Sequence, residues 1–410
     1  MGLLDLAALL VSLAAVFAWI NHRYLHLPTT IGVMVVALGI SLLLLLVGHT
    51  LYPGAADWAG ALLREVDFSA TVLEGMLSFL LFAGAMFVNL DALRERRYIV
   101  AALASVGVLL STVIVATLTW LLFTALGIPL PYVVCLLFGA LISPTDPIAV
   151  LGILKTAGVP KSLETKIVGE SLFNDGIAVV LFLVLLEVVT TGHFDPGAVA
   201  VLFVQEALGG ALFGLAIGLL VHWMLSRVDQ YQVEILLTLG LVMGGYALAS
   251  ALHLSGPIAM VVSGLLLGNH GRVRAMSART REHLDQFWEL LDEILNAVLF
   301  VLIGLEVLAL SFSGRALLAG LLVIPIVLLA RLGSVSLPVY LLRPFREFST
   351  GVIGMLTWGG LRGGISVALA LTLPAGETRD LLLPVTYVVV LFSLLVQGLT
   401  VGRLARRLSR

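Results

Sequence analysis

The sequence predicts an all-α polytopic membrane protein, and three observations carry that expectation. Of its 410 residues, 60% are hydrophobic and only 12% charged, with a mean hydropathy of +1.11, far from the balance of soluble domains. Apolar runs long enough to cross a ~30 Å hydrocarbon core as helix recur along the whole chain. Lysines and arginines gather on alternate connections between those runs, as they do in loops that face the cytoplasm.

Thirteen runs read as spans, near residues 3–20, 30–48, 70–88, 98–125, 131–152, 165–191, 197–223, 233–253, 257–268, 286–309, 316–340, 349–373 and 382–402. The first is read as a retained helix, because Met1–Asp5 lacks a positive start and no small-residue cleavage site follows. The ninth is short for a crossing, and its support comes from charge. With the C-terminus inside, the inner connections hold Arg23, then Arg94, Arg96 and Arg97, then Lys155, Lys161 and Lys166, then Arg227. Further along, Arg272, Arg274, Arg279 and Arg281, Arg343 and Arg346, and the terminal Arg403, Arg406, Arg407 and Arg410 continue the series. The opposite connections hold only Arg64, Arg315 and Arg379. Removing one crossing would scramble this alternation downstream, so the charges argue for the ninth span and for an N-terminus outside.

Net charge is −2, with no nucleic-acid patch, no zinc-ligand spacing and no long hydrophilic domain. No cofactor is expected. Cys135, the single cysteine, lies in an apolar run and reads as a small core residue that forms no internal disulfide.

Function is carried by polar residues at membrane depth, where an ionisable side chain costs at least ~2.5–3.5 kcal/mol and needs a reason. Span 5 contains "LISPTDPIAV", residues 141–150. Its two prolines remove backbone donors and disfavour helix before each, which predicts unwinding around Ser143 to Pro147, beside Asp146 and Thr145. Irregular backbone at this depth lines cavities, and half-helix ends of this kind hold ions in transporters. Span 6 carries "GESLFNDGIAV", residues 169–179. Asp175 lies nine residues beyond Lys166, ~14 Å at 1.5 Å per residue, close to the bilayer midplane. Ser171 and Asp175 are four apart, as are Glu170 and Asn174, so all four can point into one cavity. The alternative is interhelical hydrogen-bonding glue, which suits Ser171 better than a lone carboxylate. Glu187, Glu206, Glu74, Glu234, Glu306 and the acidic cluster Asp285, Glu289, Asp292 and Glu293 lie nearer span ends, where snorkelling or a solvated funnel accounts for most of them. His253 reads as an interfacial residue.

Span 12 holds "WGGLRGGISVALAL", residues 358–371, in which four glycines surround Arg362 and predict a second break. Spans 5 and 12 run in opposite directions, the arrangement of an inverted-topology repeat made of spans 1–6 (about 3–191) and 8–13 (about 233–402), with span 7 (197–223) as connector. Arg362 and Arg331 need neutralising at this depth. Glu170 is the expected partner, preferably of Arg362, in a structural pair that leaves little negative potential for a cation.

A carboxylate deprived of water is stabilised when a proton or a cation neutralises it, and one carboxylate does not comfortably hold both. If the loaded site faces either side and the empty charged site crosses poorly, the two gradients become coupled. Oxygens from Asp175, Asp146, Thr145, Ser171 and the freed carbonyls of span 5 suit a hard monovalent ion such as Na⁺. A cation channel with Asp146 and Asp175 as a charged constriction is a competing class. An intramembrane hydrolase has only Ser171 as a tempting nucleophile, with no Gly-x-Ser-Gly, no core histidine and no His-Glu-x-x-His in support.

At "SPTDPIAV", "GESLFNDGIAVVLF", "VLFVLIGLEV" and "WGGLRGGISVALAL", in that order, the chain resembles the monovalent cation:proton antiporters, in particular the prokaryotic NhaP-type branch related to the eukaryotic sodium/proton exchangers. The resemblance implies a bacterial or archaeal plasma-membrane homodimer, with a core domain of crossed broken helices moving like an elevator against a dimerisation domain. It implies exchange of Na⁺, and also Li⁺, for H⁺, with K⁺/H⁺ exchange as the alternative. Asn174-Asp175 matches the Asn-Asp motif of electroneutral, one-for-one exchangers. By that likeness Asp175 carries ion and proton, Asp146, Thr145 and Ser171 complete the Na⁺ site, Asn174 orients it, and Arg362 stabilises the core. One departure stands out: "LLFAGAM" places Ala83 where many prokaryotic members carry a glutamate. The chain ends at Arg410, so regulation through a long tail is not expected.

Overall fold

The computed structural model describes residues 3–50, 71–146, 161–192, 196–271, 276–310, 313–344, 348 and 351–408. Among these the regular structure is entirely helical: α1 (Leu3–Ile20), α2 (Thr29–Thr50), α3 (Leu77–Met86), α4 (Leu90–Glu95), α5 (Arg97–Ala104), α6 (Val106–Ala125), α7 (Tyr132–Ile142) and α8 (Lys161–Thr191). There follow α9 (Pro196–Leu225), α10 (Tyr231–Ala251), α11 (Gly256–Leu266), α12 (Ala278–Glu306), α13 (Gly314–Leu342), α14 (Val352–Trp358), α15 (Gly364–Leu371), α16 (Glu377–Phe392) and α17 (Leu399–Leu408). Wider π turns extend four of them, at Asn21–Leu25, Thr71–Met76, Leu267–Gly271 and Ser393–Gly398.

Eight helical stretches are by themselves long and apolar enough to cross a membrane, among the described residues. Other predicted spans are built from shorter or more polar pieces. The weak ninth becomes α11 continued by a π turn to Gly271, and the twelfth is divided into α14 and α15. The second half of span 5, including Pro147, lies outside the described residues, as do Arg64, Lys155, Arg272, Arg274 and Arg346. Span 10 differs most from expectation: its helix starts at Ala278 rather than near 286, because Ser277 caps it by accepting a hydrogen bond from the Thr280 N–H. Ser255 and Ser313 cap α11 and α13 in the same way.

Small residues let these helices approach closely, the main route to cohesion where lipid offers no hydrophobic drive. Gly139 of α7 rests on the main chain of Thr112 in α6, in space that a Cβ would occupy. Helix α8 packs on α5, α7 and α11, while α13 lies against α6 and α16. The core is largely apolar, with Cys135 fully buried as expected. Trp288 of α12 is also fully buried, stacked obliquely on Phe82 at 4.7 Å and donating to Thr238 Oγ1 at 3.1 Å.

Candidate functional site

The two breaks predicted from proline and glycine meet. Helix α7 stops at Ile142 and residues 143–146 continue without helix. Helix α14 stops at Trp358, and α15 begins only at Gly364. Between them the Asp146 N–H donates to the Leu361 carbonyl at 2.7 Å. Main chain freed from helix on one side is thereby satisfied by main chain freed on the other, which is how irregular backbone survives in a dry interior. Gly363 makes the approach possible, because a Cβ there would overlap the Asp146 carboxylate.

Each break is secured by side chains. Arg362 donates to the Ser143 and Pro144 carbonyls, and its own N–H reaches Ser393 Oγ at 2.8 Å. Ser143 Oγ donates to the Gly139 carbonyl at 2.7 Å and sits 3.1 Å from Ser111 Oγ. On the other side, Arg331 Nε donates to the Leu356 carbonyl at 3.2 Å, and Gln397 Nε2 to the Trp358 carbonyl at 3.1 Å. Both arginines therefore place positive charge at the negative, C-terminal ends of interrupted helices.

Against this frame, α8 presents the polar face that its four-residue spacing predicts. Glu170, Ser171, Asn174 and Asp175 are all buried, as is Thr145 of the first break. Asn174 uses its whole amide: Oδ1 accepts from the Thr145 N–H at 3.2 Å, while Nδ2 donates to Thr145 Oγ1 at 2.7 Å and to Glu170 Oε1 at 3.0 Å. Thr145 Oγ1 and Ser171 Oγ lie 2.9 Å apart. The amide is thus oriented by Glu170 and Thr145, with no acidic residue needed at Ala83, which is buried on α3.

The expected pairing of Glu170 with Arg362 is corrected by the geometry. Arg331 takes Glu170 in a forked pair, Nη1 to Oε1 at 2.6 Å and Nη2 to Oε2 at 2.7 Å. The physical reason is that Arg362 is engaged by the carbonyls of the first break. Sequence spacing could not choose between them, since Arg331 is 161 positions from Glu170 and Arg362 is farther still.

Asp175 is different. It is 3% exposed, its carboxylate lies within electrostatic reach of Asp146, Glu170 and Arg362, and Oδ1 has no hydrogen-bond partner. Asp146 is only partly buried, so the two carboxylates grade from a wetter to a drier position. Such a set can hold a hard monovalent cation or a proton.

Three carboxylates assigned to span ends prove more enclosed than snorkelling allows. Glu234 is fully buried, with Thr280 beside its carboxylate, and Glu306 is 8% exposed. Asp292 has a buried, unpartnered Oδ1 and interacts electrostatically with Asp146. Sequence reading also passed over Ser111 and Thr112, although two adjacent hydroxyls in an apolar span were a usable signal. His253 is exposed, as an interfacial residue should be.

The profile of the sodium/hydrogen exchanger transmembrane family matches residues 11–407. The chain is 51% identical over 411 residues to the Na(+)/H(+) antiporter NhaP of Pseudomonas aeruginosa, covering 99% of this chain and 97% of that one. It is 36% identical over 414 residues to the Na(+)/H(+) antiporter NhaH of Halobacillus dabanensis, with the same coverage. Its fold matches the sodium proton antiporter MjNhaP1 of Methanocaldococcus jannaschii with a TM-score of 0.76 at 21% identity, covering 99% of this chain and 98% of that one. With two interrupted helices meeting beside a buried acidic side chain, and a family match spanning nearly its whole length, this multi-pass membrane chain belongs to the sodium/hydrogen exchanger family.

Proposed function

We propose that the protein exchanges Na⁺ for H⁺ across the membrane at Asp175, one for one, with Li⁺ accepted in place of Na⁺. The observation that carries this reading is the buried Asp175 carboxylate with an unpartnered oxygen, placed where the two breaks meet. Desolvation makes its negative charge costly, so the site is stable when loaded with either rival cation and crosses poorly when empty. Asp146, Thr145 and Ser171 supply the remaining oxygens, and Asn174, saturated by neutral partners and Glu170, orients them. Because Glu170 is matched by Arg331, one net negative charge at Asp175 is left to cycle, which favours electroneutral exchange.

The same reading includes two inverted repeats, about 3–191 and 233–402, joined by 197–223, with a cytoplasmic C-terminus in a prokaryotic plasma membrane. The opposed breaks support the repeats, and the alternating basic connections support the orientation. Homodimerisation rests on the family resemblance and is measurable as mass in detergent.

Proteoliposomes holding a pH dye, challenged from outside with Na⁺, Li⁺ or K⁺, test the function. Na⁺ and Li⁺ should alkalinise the interior, K⁺ should not, and an imposed membrane potential should leave the rate unchanged. A K⁺ response replaces the substrate, a strong dependence on potential rejects one-for-one exchange, and current far above transporter turnover replaces exchange with a channel.

A further inference from the structure

Helix α12 bears a polar stripe that the exchange site does not use. Asp285, Glu289, Asp292 and Asn296 follow at intervals of four, three and four, and so lie on one face. Asp285 is partly buried, and from Glu289 onward enclosure increases. Glu289 is exposed, Asp292 is partly buried and Asn296 is 1% exposed. Three residues beyond Asn296 the helix has reached the second break, where Leu299 fills the space that a Cβ on Gly364 would take.

At the inner end of the stripe the oxygens are poorly satisfied. Asn296 Nδ2 donates to the Asp292 carbonyl at 2.8 Å, and the Asn296 side chain lies beside the Asp292 carboxylate. Asn296 Oδ1 and Asp292 Oδ1 are buried and receive no hydrogen bond from the described residues. The Asp292 carboxylate also feels Asp146, with Glu293 and Glu289 adding negative potential from the exposed side. Two carboxylates of like charge near each other repel, and a buried acceptor without a donor is costly. A cation between them relieves both.

We propose that the carboxylate of Asp292 and the amide oxygen of Asn296 form a second station for the transported monovalent cation, occupied before the ion passes through Asp146 to Asp175. The proposal rests on Na⁺ exchange at Asp175 and adds the route by which the ion arrives. The donor set is a carboxylate and an amide carbonyl oxygen, hard ligands that suit Na⁺ or Li⁺. An acidic station on the way to the site raises the local cation concentration beside it, so its effect falls on the half-saturating concentration.

In proteoliposomes of the full chain, Asp292→Asn should raise the Na⁺ KM about three- to tenfold, with a smaller change in kcat, and Asp292→Glu should restore it. Asn296→Ala, which removes an oxygen and no charge, should raise KM as well. Glu289→Gln, which removes a charge from an exposed position of the same stripe, should shift KM less than about twofold. A KM unmoved by Asp292→Asn, or moved as much by Glu289→Gln, overturns the station. A second measurement is independent of exchange: the Na⁺-dependent rise in unfolding temperature, against choline at equal ionic strength, of the protein carrying Asp175→Asn. That rise should persist, and adding Asp292→Asn should remove it. Persistence in the double variant overturns the proposal. Failure of the unaltered protein to exchange Na⁺, together with Asp292-dependent stabilisation by Na⁺, would reject exchange and leave the station standing.

Discussion

Glu170 and Asp175 sit on the same helix, five positions apart, both almost completely buried, yet their surroundings give them opposite tasks. Glu170 is met by a two-pronged guanidinium and an amide, so its charge is matched and its lone pairs are largely used. Asp175 keeps an oxygen with no partner and has two other carboxylates within reach. Depth in the membrane therefore does not mark the ion carrier. On the proposed reading, what separates Asp175 from Glu170 is incomplete satisfaction, because an acceptor without a partner gains by exchanging one visiting cation for another.

The sharpest way to break that contrast is to make the same chemical change at both positions. Asp175→Asn should abolish exchange to the background of empty vesicles while the protein still elutes as a folded species. Glu170→Gln should instead lower stability, seen as loss of folded protein in detergent. Exchange surviving in the first variant removes Asp175 from the mechanism. Next in size, Arg331→Met leaves Glu170 charged without its forked partner, at a cost of about 3–5 kcal/mol. Thermal unfolding of the double variant Glu170→Gln with Arg331→Met should recover more than half of that loss, since no charge is then stranded.

Smaller effects extend the contrast to the neighbouring groups. Gly363→Ala drives a methyl into the Asp146 carboxylate and should cost about 1–3 kcal/mol, with a raised Na⁺ KM. Gly354→Ala, where nothing stands in the way, should be neutral or stabilising by up to about 1 kcal/mol. The gentlest probe is pH. If proton and Na⁺ compete for one carboxylate, as proposed, acidification raises the Na⁺ KM, approaching tenfold per pH unit where the empty site is protonated. A Na⁺ KM independent of pH across the active range would mean that the two ions use different groups.

The positions of both breaks were readable in advance, because proline and glycine act on their own local backbone. The polar face of α8 was equally readable, since residues four apart share a side of any helix. Pairing was not. Arg331 and Arg362 are indistinguishable as buried arginines in a sequence, and the choice between them depended on which guanidinium was already committed to the carbonyls of Ser143 and Pro144. Asp292 was assigned to the entry of span 10, and its interaction with Asp146 is likewise a tertiary contact that sequence does not show.

What the chain determined by itself is therefore everything that depends on short-range rules: apolar runs long enough to cross lipid, interruptions at "SPTDP" and "GGLRGG", and carboxylates spaced to share a face. Only the tertiary structure decided which carboxylate is quenched by an arginine and which keeps an oxygen without a partner among the described residues. Neutralisation at this depth is settled between groups far apart in sequence, through contacts of about 3 Å in a medium that does not screen them.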